Sequence, residues 1–319
     1  MKRITRWICG ILAPILFLFS GCTAAFELLK SLEDLTLSDV EMLLSSLSGN
    51  SFEIPDEDFS DKTALLQVYV IDCGQGDSIF AIFPSGETML VDGSTQADAQ
   101  SVTEFLDAFG ISAIDYVVAT HPHEDHIGGL DDCLQKYKAG QIFMPAIEHT
   151  TASFERLLDA IERQNLQIDV PEAGEYIIGN ANTEFSVQCL APNSEEYEEM
   201  NNYSIVLRIL YGDRAILLTG DAEAFSEEEM LDAGYELSSD VLKLGHHGSS
   251  TSSSKDFITA VAPTYAIASC GKDNDYGHPH REIRAMAEKL GWIFYRTDTD
   301  GTVAILTDGD KIAVQPLGK

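Results

Sequence analysis

Positive charge is what this sequence has least of: across 319 residues, 20 lysines and arginines face 52 aspartates and glutamates, for a net charge of −32 at pH 7. Nonspecific nucleic-acid binding relies on a basic face that neutralises phosphates, so the composition counts against an unaided grip on DNA. Cysteine is sparse as well, and none of the six forms a CxxC pair or sits close to a histidine, which argues against a zinc ribbon. The apolar run at 7–19 is too short and too one-sidedly flanked for a confident membrane span. What is present suffices for a packed core, since 45% of residues are hydrophobic and 9% aromatic. The length allows one large domain or two small ones.

Lys2, Arg3 and Arg6 precede that apolar run and small residues follow it, the pattern of a signal peptide over 1–21. Its end, Leu18-Phe19-Ser20-Gly21-Cys22, resembles a bacterial lipobox, which implies cleavage to a lipid-modified Cys22. An uncleaved N-terminal anchor is the alternative. Either way the body is expected at the extracellular face of the cytoplasmic membrane, still more acidic once the three basic residues are removed. Cys73, Cys133, Cys189 and Cys270 are expected as buried unpaired thiols, with a disulfide left open by the oxidising location.

Leucines at 28, 29, 32, 35, 43, 44 and 47 predict a short helical pair, and Ser38 and Glu41 are spaced as a capping box for its second helix. Residues 49–62 are acidic and aperiodic around Pro55, a spacer within a 22–62 segment that lifts the body off the membrane. From 63 to 319 strands and helices alternate. Strands are expected at 65–72, 78–83, 88–91, 115–119, 184–190, 203–210, 214–219, 240–244 and 264–269, and helices near 98–109, 223–233, 254–261 and 280–290. Such mixing predicts an α/β fold of two sheets faced by helices.

The most specific signal is Thr120-His121-Pro122-His123-Glu124-Asp125-His126-Ile127-Gly128-Gly129, directly after an apolar strand. His121 and His123 are two apart on an extended loop, so both rings can face one metal ion, while Asp125 and His126 start a helix and turn toward a second. Gly128 and Gly129 let the backbone pass close beneath. Asp221, after the strand 214–219 and Gly220, is assigned as the bridging carboxylate; a turn or N-cap aspartate is the plain alternative. His246 is assigned to complete the second metal, with His247 turned toward substrate, and the exchange of these roles stays open. Asp92 is expected to orient a metal-bound histidine, and Asp77 is placed in the same supporting role. The hydroxyl-rich run 249–254, opening with Ser249, reads either as an anion cradle ahead of a helix or as a plain capping loop. His278 is expected to line the site; His280 is assigned to the surface.

Taken together these segments resemble the metallo-β-lactamase superfamily, and within it the extracellular nuclease-like domain of ComEC-type competence (DNA-uptake) proteins, over about residues 65–316. The resemblance rests on Asp72-Cys73-Gly74-Gln75-Gly76-Asp77, Leu90-Val91-Asp92-Gly93, the histidine motif, Leu218-Thr219-Gly220-Asp221-Ala222-Glu223, His246-His247-Gly248-Ser249, Tyr276-Gly277-His278-Pro279 and Arg296-Thr297-Asp298-Thr299-Asp300-Gly301. It implies an αββα sandwich with ligands at strand ends along one edge. The sequence departs from the superfamily in lacking a further histidine between the first motif and Asp221. Asn202, water or substrate is expected to fill that place, with His149 as another option. The multi-helix channel that accompanies this domain in DNA-uptake proteins is not among these residues, so competence itself is not implied.

The expected chemistry is hydrolysis by a water activated between two divalent ions, zinc or manganese, with Asp125, His247 and His278 closest to the reaction. A phosphodiester is the first-choice substrate, as a wall polymer, a small diester or DNA, and the acidic body favours the first two. No protein partner is predicted. Amide hydrolysis, with β-lactams as the case to test, and metal binding without turnover are the alternatives.

Overall fold

The computed structural model describes residues 65–318 and, before them, Ser45 alone, which is helical. The leader at 1–21, the spacer at 49–62 and the rest of the helical pair lie outside the described residues. In the first strand, β1 (Leu66–Val70), Leu66, Val68 and Val70 face one way and Tyr69 the other, the period of two inherent to a pleated strand. Both sides are buried, which is why the segment reads as an unbroken apolar run. The first face meets a second sheet and the other meets a layer of helices.

Eight strands form the first sheet: β1, β2 (Ile79–Ile82), β3 (Thr88–Val91), β4 (Ala113–Val118), β5 (Lys138–Phe143), β6 (Ile168–Asp169), β14 (Val303–Thr307) and β15 (Ile312–Pro316), in the order β15-β14-β1-β2-β3-β4-β5-β6. The second has seven: β7 (Tyr176–Ile178), β8 (Phe185–Ala191), β9 (Val206–Tyr211), β10 (Arg214–Leu218), β11 (Val241–Lys243), β12 (Tyr265–Ala268) and β13 (Ile293–Arg296), in the order β13-β12-β11-β10-β9-β8-β7. Ile216 and Leu218 of β10 pack with Val68 and Val118 between the sheets, while Leu217 faces outward. Helices α1 (Ala99–Ala108), α2 (Glu124–Ile127), α3 (Leu130–Lys136) and α4 (Ala152–Arg163) belong to the first half; α5 (Ala224–Asp232), α6 (Lys255–Val261), α7 (Arg281–Leu290) and the short α8 (Thr297–Asp300) belong to the second. Helix α1 buries Ala99, Val102, Thr103 and Leu106, one stripe at helical spacing. The layers are those of the expected αββα sandwich.

Strands β3 and β4 run parallel, as do β10, β11 and β12. Parallel strands deliver their carboxyl ends to one edge, and the loops beyond Val91, Val118, Leu218, Lys243 and Ala268 gather there. Those loops carry Asp92, the histidine motif, Asp221, the histidine pair and Ser269. The four described cysteines are buried and free.

Candidate metal centre

The imidazoles of His121, His126 and His247 are each held at Nδ1, which leaves Nε2 to face inward. Asp92 anchors the first: its carboxylate accepts from the Thr120 amide (2.8 Å) and hydroxyl (2.7 Å), and its Oδ2 lies 2.7 Å from His126 Nδ1. A carboxylate on Nδ1 sets the tautomer in which Nε2 offers a lone pair. His247 Nδ1 donates to the Ser269 carbonyl at 3.0 Å, with Asp77 Oδ1 3.4 Å away, and its Nε2 faces Asp125 Oδ2 at 3.2 Å. His121 Nδ1 lies beside the Ser204 hydroxyl (3.3 Å), and its Nε2 is 3.0 Å from His123 Nδ1. Two nitrogens on one tetrahedral ion stand about 3.4 Å apart, so this pair is close to that spacing without rearrangement.

Asp221 sits among these rings. Its Oδ1 is 3.3 Å from His126 Nε2, and its Oδ2 lies 3.5 Å from His247 Nε2 and 3.9 Å from both His121 Nε2 and His246 Nε2. Although His126 Nε2 and Asp221 Oδ1 face each other, both are buried and neither has a hydrogen-bond partner. Orphaned atoms of this kind are expensive unless something else satisfies them, and a cation would. Ligand atoms of Asp77, His126, Asp221 and His247 all lie within 4.8 Å of one another. The residues therefore fit a metal centre.

Backbone geometry supports the same reading. His246 and His247 adopt left-handed φ values of 49° and 55°, which cost about 1–3 kcal/mol each for non-glycine residues and persist only where the surroundings enforce them. Close approach is real at Gly128 and Gly129: a Cβ on the first would strike the Glu124 carbonyl, and one on the second the Gly93 carbonyl.

Several expectations change on the structure. His247 is the buried member of its pair, 1% exposed against 25% for His246, and it is the one directed at Asp125. His246 lines the cavity mouth instead, with Nδ1 held 3.2 Å from Glu223. Asn202 does not reach toward the histidines: its carboxamide oxygen accepts from the amides of Glu223 and Ser226 and caps α5. Asn201, one residue earlier, lies 3.3 Å from His246 Nδ1. The anion cradle is already filled, because the Ser253 and Ser254 amides donate to the buried carboxylate of Glu227. Ser249 is buried and bonds to Thr251 within its own loop. His149 is engaged by Thr151 at the start of α4. His278 lines the cavity, and His280 is held at the surface by Ser250 and the Tyr276 carbonyl.

Electrostatics divide the histidines. Burial, reinforced by His126, pushes the His121 pKa well below its ordinary value. Burial acts the same way on His126, but the Asp221 and Asp92 carboxylates outweigh it and hold that pKa well above the usual range. His247 is raised to about 9: burial opposes the shift, while Asp221, Asp125 and Asp77 drive it. Burial and the neighbouring His247 and His246 lower His278 to about 4, so its ring is neutral at pH 7. The cavity above these groups measures about 300 Å³ and is lined by His123, Asp125, Asp221, His246, His247 and His278 among others.

A fold of this kind with histidines and aspartates at the strand ends defines a metallohydrolase class, and comparison with known proteins agrees. The family model of the metallo-beta-lactamase superfamily matches residues 71–272. The chain belongs to that superfamily. Among characterised sequences it is 31% identical over 254 residues to ComE operon protein 3 of Bacillus subtilis (strain 168), covering 74% of this chain and 32% of that protein. It is 34% identical over 238 residues to competence protein ComA of Neisseria gonorrhoeae, covering 74% of this chain and 31% of that one. The chain thus spans about a third of the length of these relatives. The metallo-beta-lactamase fold protein YhfI from Bacillus subtilis superposes with a TM-score of 0.50 at 12% identity, over 76% of this chain and 100% of YhfI, which speaks to the fold alone. Among the described residues no helix is long and apolar enough to cross a membrane.

Proposed function

We propose that this protein is a two-metal phosphodiesterase acting outside the cytoplasmic membrane, to which Cys22 anchors it through lipid. The observation that carries the reading is Asp221, a buried carboxylate whose two oxygens face different imidazoles, His126 on one side and His121 and His247 on the other. His121 and His123 would hold one divalent ion, zinc or manganese, and Asp125, His126 and His247 the other, with Asp221 shared between them. This exchanges the roles first given to the histidine pair. Ions bound there would bring the pKa of a water toward neutrality and offset charge on phosphoryl oxygens.

The remaining work falls to the chain itself. Asp92, Asp77, Ser204 and the Ser269 carbonyl keep the rings in one orientation, so the donors need no reorganisation when substrate arrives. His246 reaches the cavity with Nδ1 held by Glu223, which presents Nε2 to the departing oxygen; in its doubly protonated form the ring hands that oxygen the Nε2 proton. A phosphodiester is preferred over an amide because the chain resembles the nuclease-like domain of ComEC-type proteins and one matched relative is named a competence protein. A net charge of −32 repels a long polyanion outside the site, and salt screens that repulsion within about 10 Å at 0.1 M. Assaying the metal-loaded protein on a chromogenic phosphodiester, DNA and a cephalosporin tests the reading. It predicts turnover of the small diester and weak DNA cleavage that improves as salt rises from a low level. Turnover of the cephalosporin alone, or of none, would refute it.

A further inference from the structure

Tyr276 is 67% exposed, yet it lines the cavity and has its ring parallel to that of His278, with centroids 5.6 Å apart and an interplanar angle of 15°. His278 in turn leans on His247, 5.8 Å away at 33°. A series of rings therefore leads from the metal-facing imidazole out to solvent and ends on an uncovered aromatic face. Hydrogen bonds hold the loop in place: Asn274 accepts from the His278 amide and donates to the His278 and Gly271 carbonyls, and His280 Nε2 bonds the Tyr276 carbonyl. His278 is buried, and its Nδ1 has no partner in the protein.

The lining of the cavity has a second property. Among the described residues none of its side chains is a lysine or arginine, whereas Glu124 and Asp125 are both present. Phosphate contacts of the ordinary kind are therefore missing at the point where a nucleotide would approach. Affinity from base stacking does not require them, because every nucleobase has a π-face.

Building on the phosphodiesterase reading, the geometry points to Tyr276, backed by His278, as a stacking shelf for the nucleobase next to the scissile phosphodiester. The substrate class is then a single-stranded or small nucleotide diester, not a wall polymer. The shelf grips the base, and ions held by the neighbouring histidines and aspartates would bind the adjacent phosphate.

The test compares binding of a short phosphorothioate oligothymidylate with that of an abasic oligomer of equal length and charge, using the metal-loaded full chain and its Tyr276→Ala and Tyr276→Phe variants. Wild type should prefer the base-bearing oligomer by about tenfold or more. Tyr276→Ala should abolish the preference, and Tyr276→Phe should keep it. Equal binding of the two oligomers by wild type, or a preference that survives Tyr276→Ala, overturns the shelf. Hydrolysis of the p-nitrophenyl ester of thymidylate by the same samples judges the phosphodiesterase reading separately: its absence would refute that reading while the binding comparison still decides the shelf.

Discussion

The ammonium of Lys243 and the carboxylate of Asp77 form an ion pair sealed from solvent, each side chain about 1% exposed. Lys243 ends β11 in one sheet, and Asp77 lies in the turn between β1 and β2 of the other. Lys243 also donates to the Gly220 carbonyl at 3.1 Å, and the Asp77 amide donates to the Asp125 carbonyl at 3.1 Å. Through these bonds one pair ties together the loops that carry Asp125, Asp221 and the histidine pair.

Removing one partner leaves the other charge buried without compensation, which typically costs about 3–5 kcal/mol. Lys243→Met should therefore lower the urea midpoint sharply, and Lys243→Met combined with Asp77→Leu should recover part of the loss. A double variant no more stable than the single one would show that the unpaired carboxylate is not the cause.

Metal counting separates the roles of the aspartate and the two histidines. Asp221→Ala should lose most bound metal yet keep its circular dichroism, because the site lies at the sheet edge and not in the core. His247→Ala should lose one ion per chain. His246→Ala should retain both and slow turnover by about 100-fold, the scale of a lost proton donor. Loss of an ion in His246→Ala with none lost in His247→Ala would restore the first assignment.

The metal-free protein should become less stable as pH rises above neutrality. His247 has a folded pKa of about 9 against an ordinary 6.5, so folding takes up a proton between those values. Its stabilisation is complete below the unfolded pKa and disappears as pH passes the folded one. Metal needs the neutral imidazole, so its affinity should rise over the same window. Thermal denaturation from pH 6.5 to 9.5, with and without metal, should show the two melting temperatures diverging; parallel curves would contradict the protonated state assigned to metal-free His247.

What could be read in the sequence depended on locality. The strand at 88–91 coincides with β3, and most other apolar runs bounded by glycine or polar turns became strands within a few residues of their expected limits. Strand β5 escaped notice because Lys138, Gly140 and Gln141 are exposed and break any alternation. The histidine motif was legible because its ligand types are contiguous and follow an apolar strand. Which of His246 and His247 turns inward was not, since left-handed backbone at both positions decides it and spacing carries no such information. Similarly, the serine run resembled an open cradle because the carboxylate that fills it, Glu227, comes from another helix 26 residues earlier in the chain than Ser253.

The proposed lipid anchor is tested at Cys22. Cys22→Ser should abolish metabolic labelling by fatty acid and release the protein from membranes or block its processing; labelling that persists would rule out this cysteine as the anchor.

The central claim is that hydrolysis needs two ions around Asp221. Metal-free protein titrated with manganese or zinc should turn over a chromogenic phosphodiester only as ions bind, with the rate saturating at two equivalents per chain. Saturation at a single equivalent, or full activity in the metal-free protein, would contradict it.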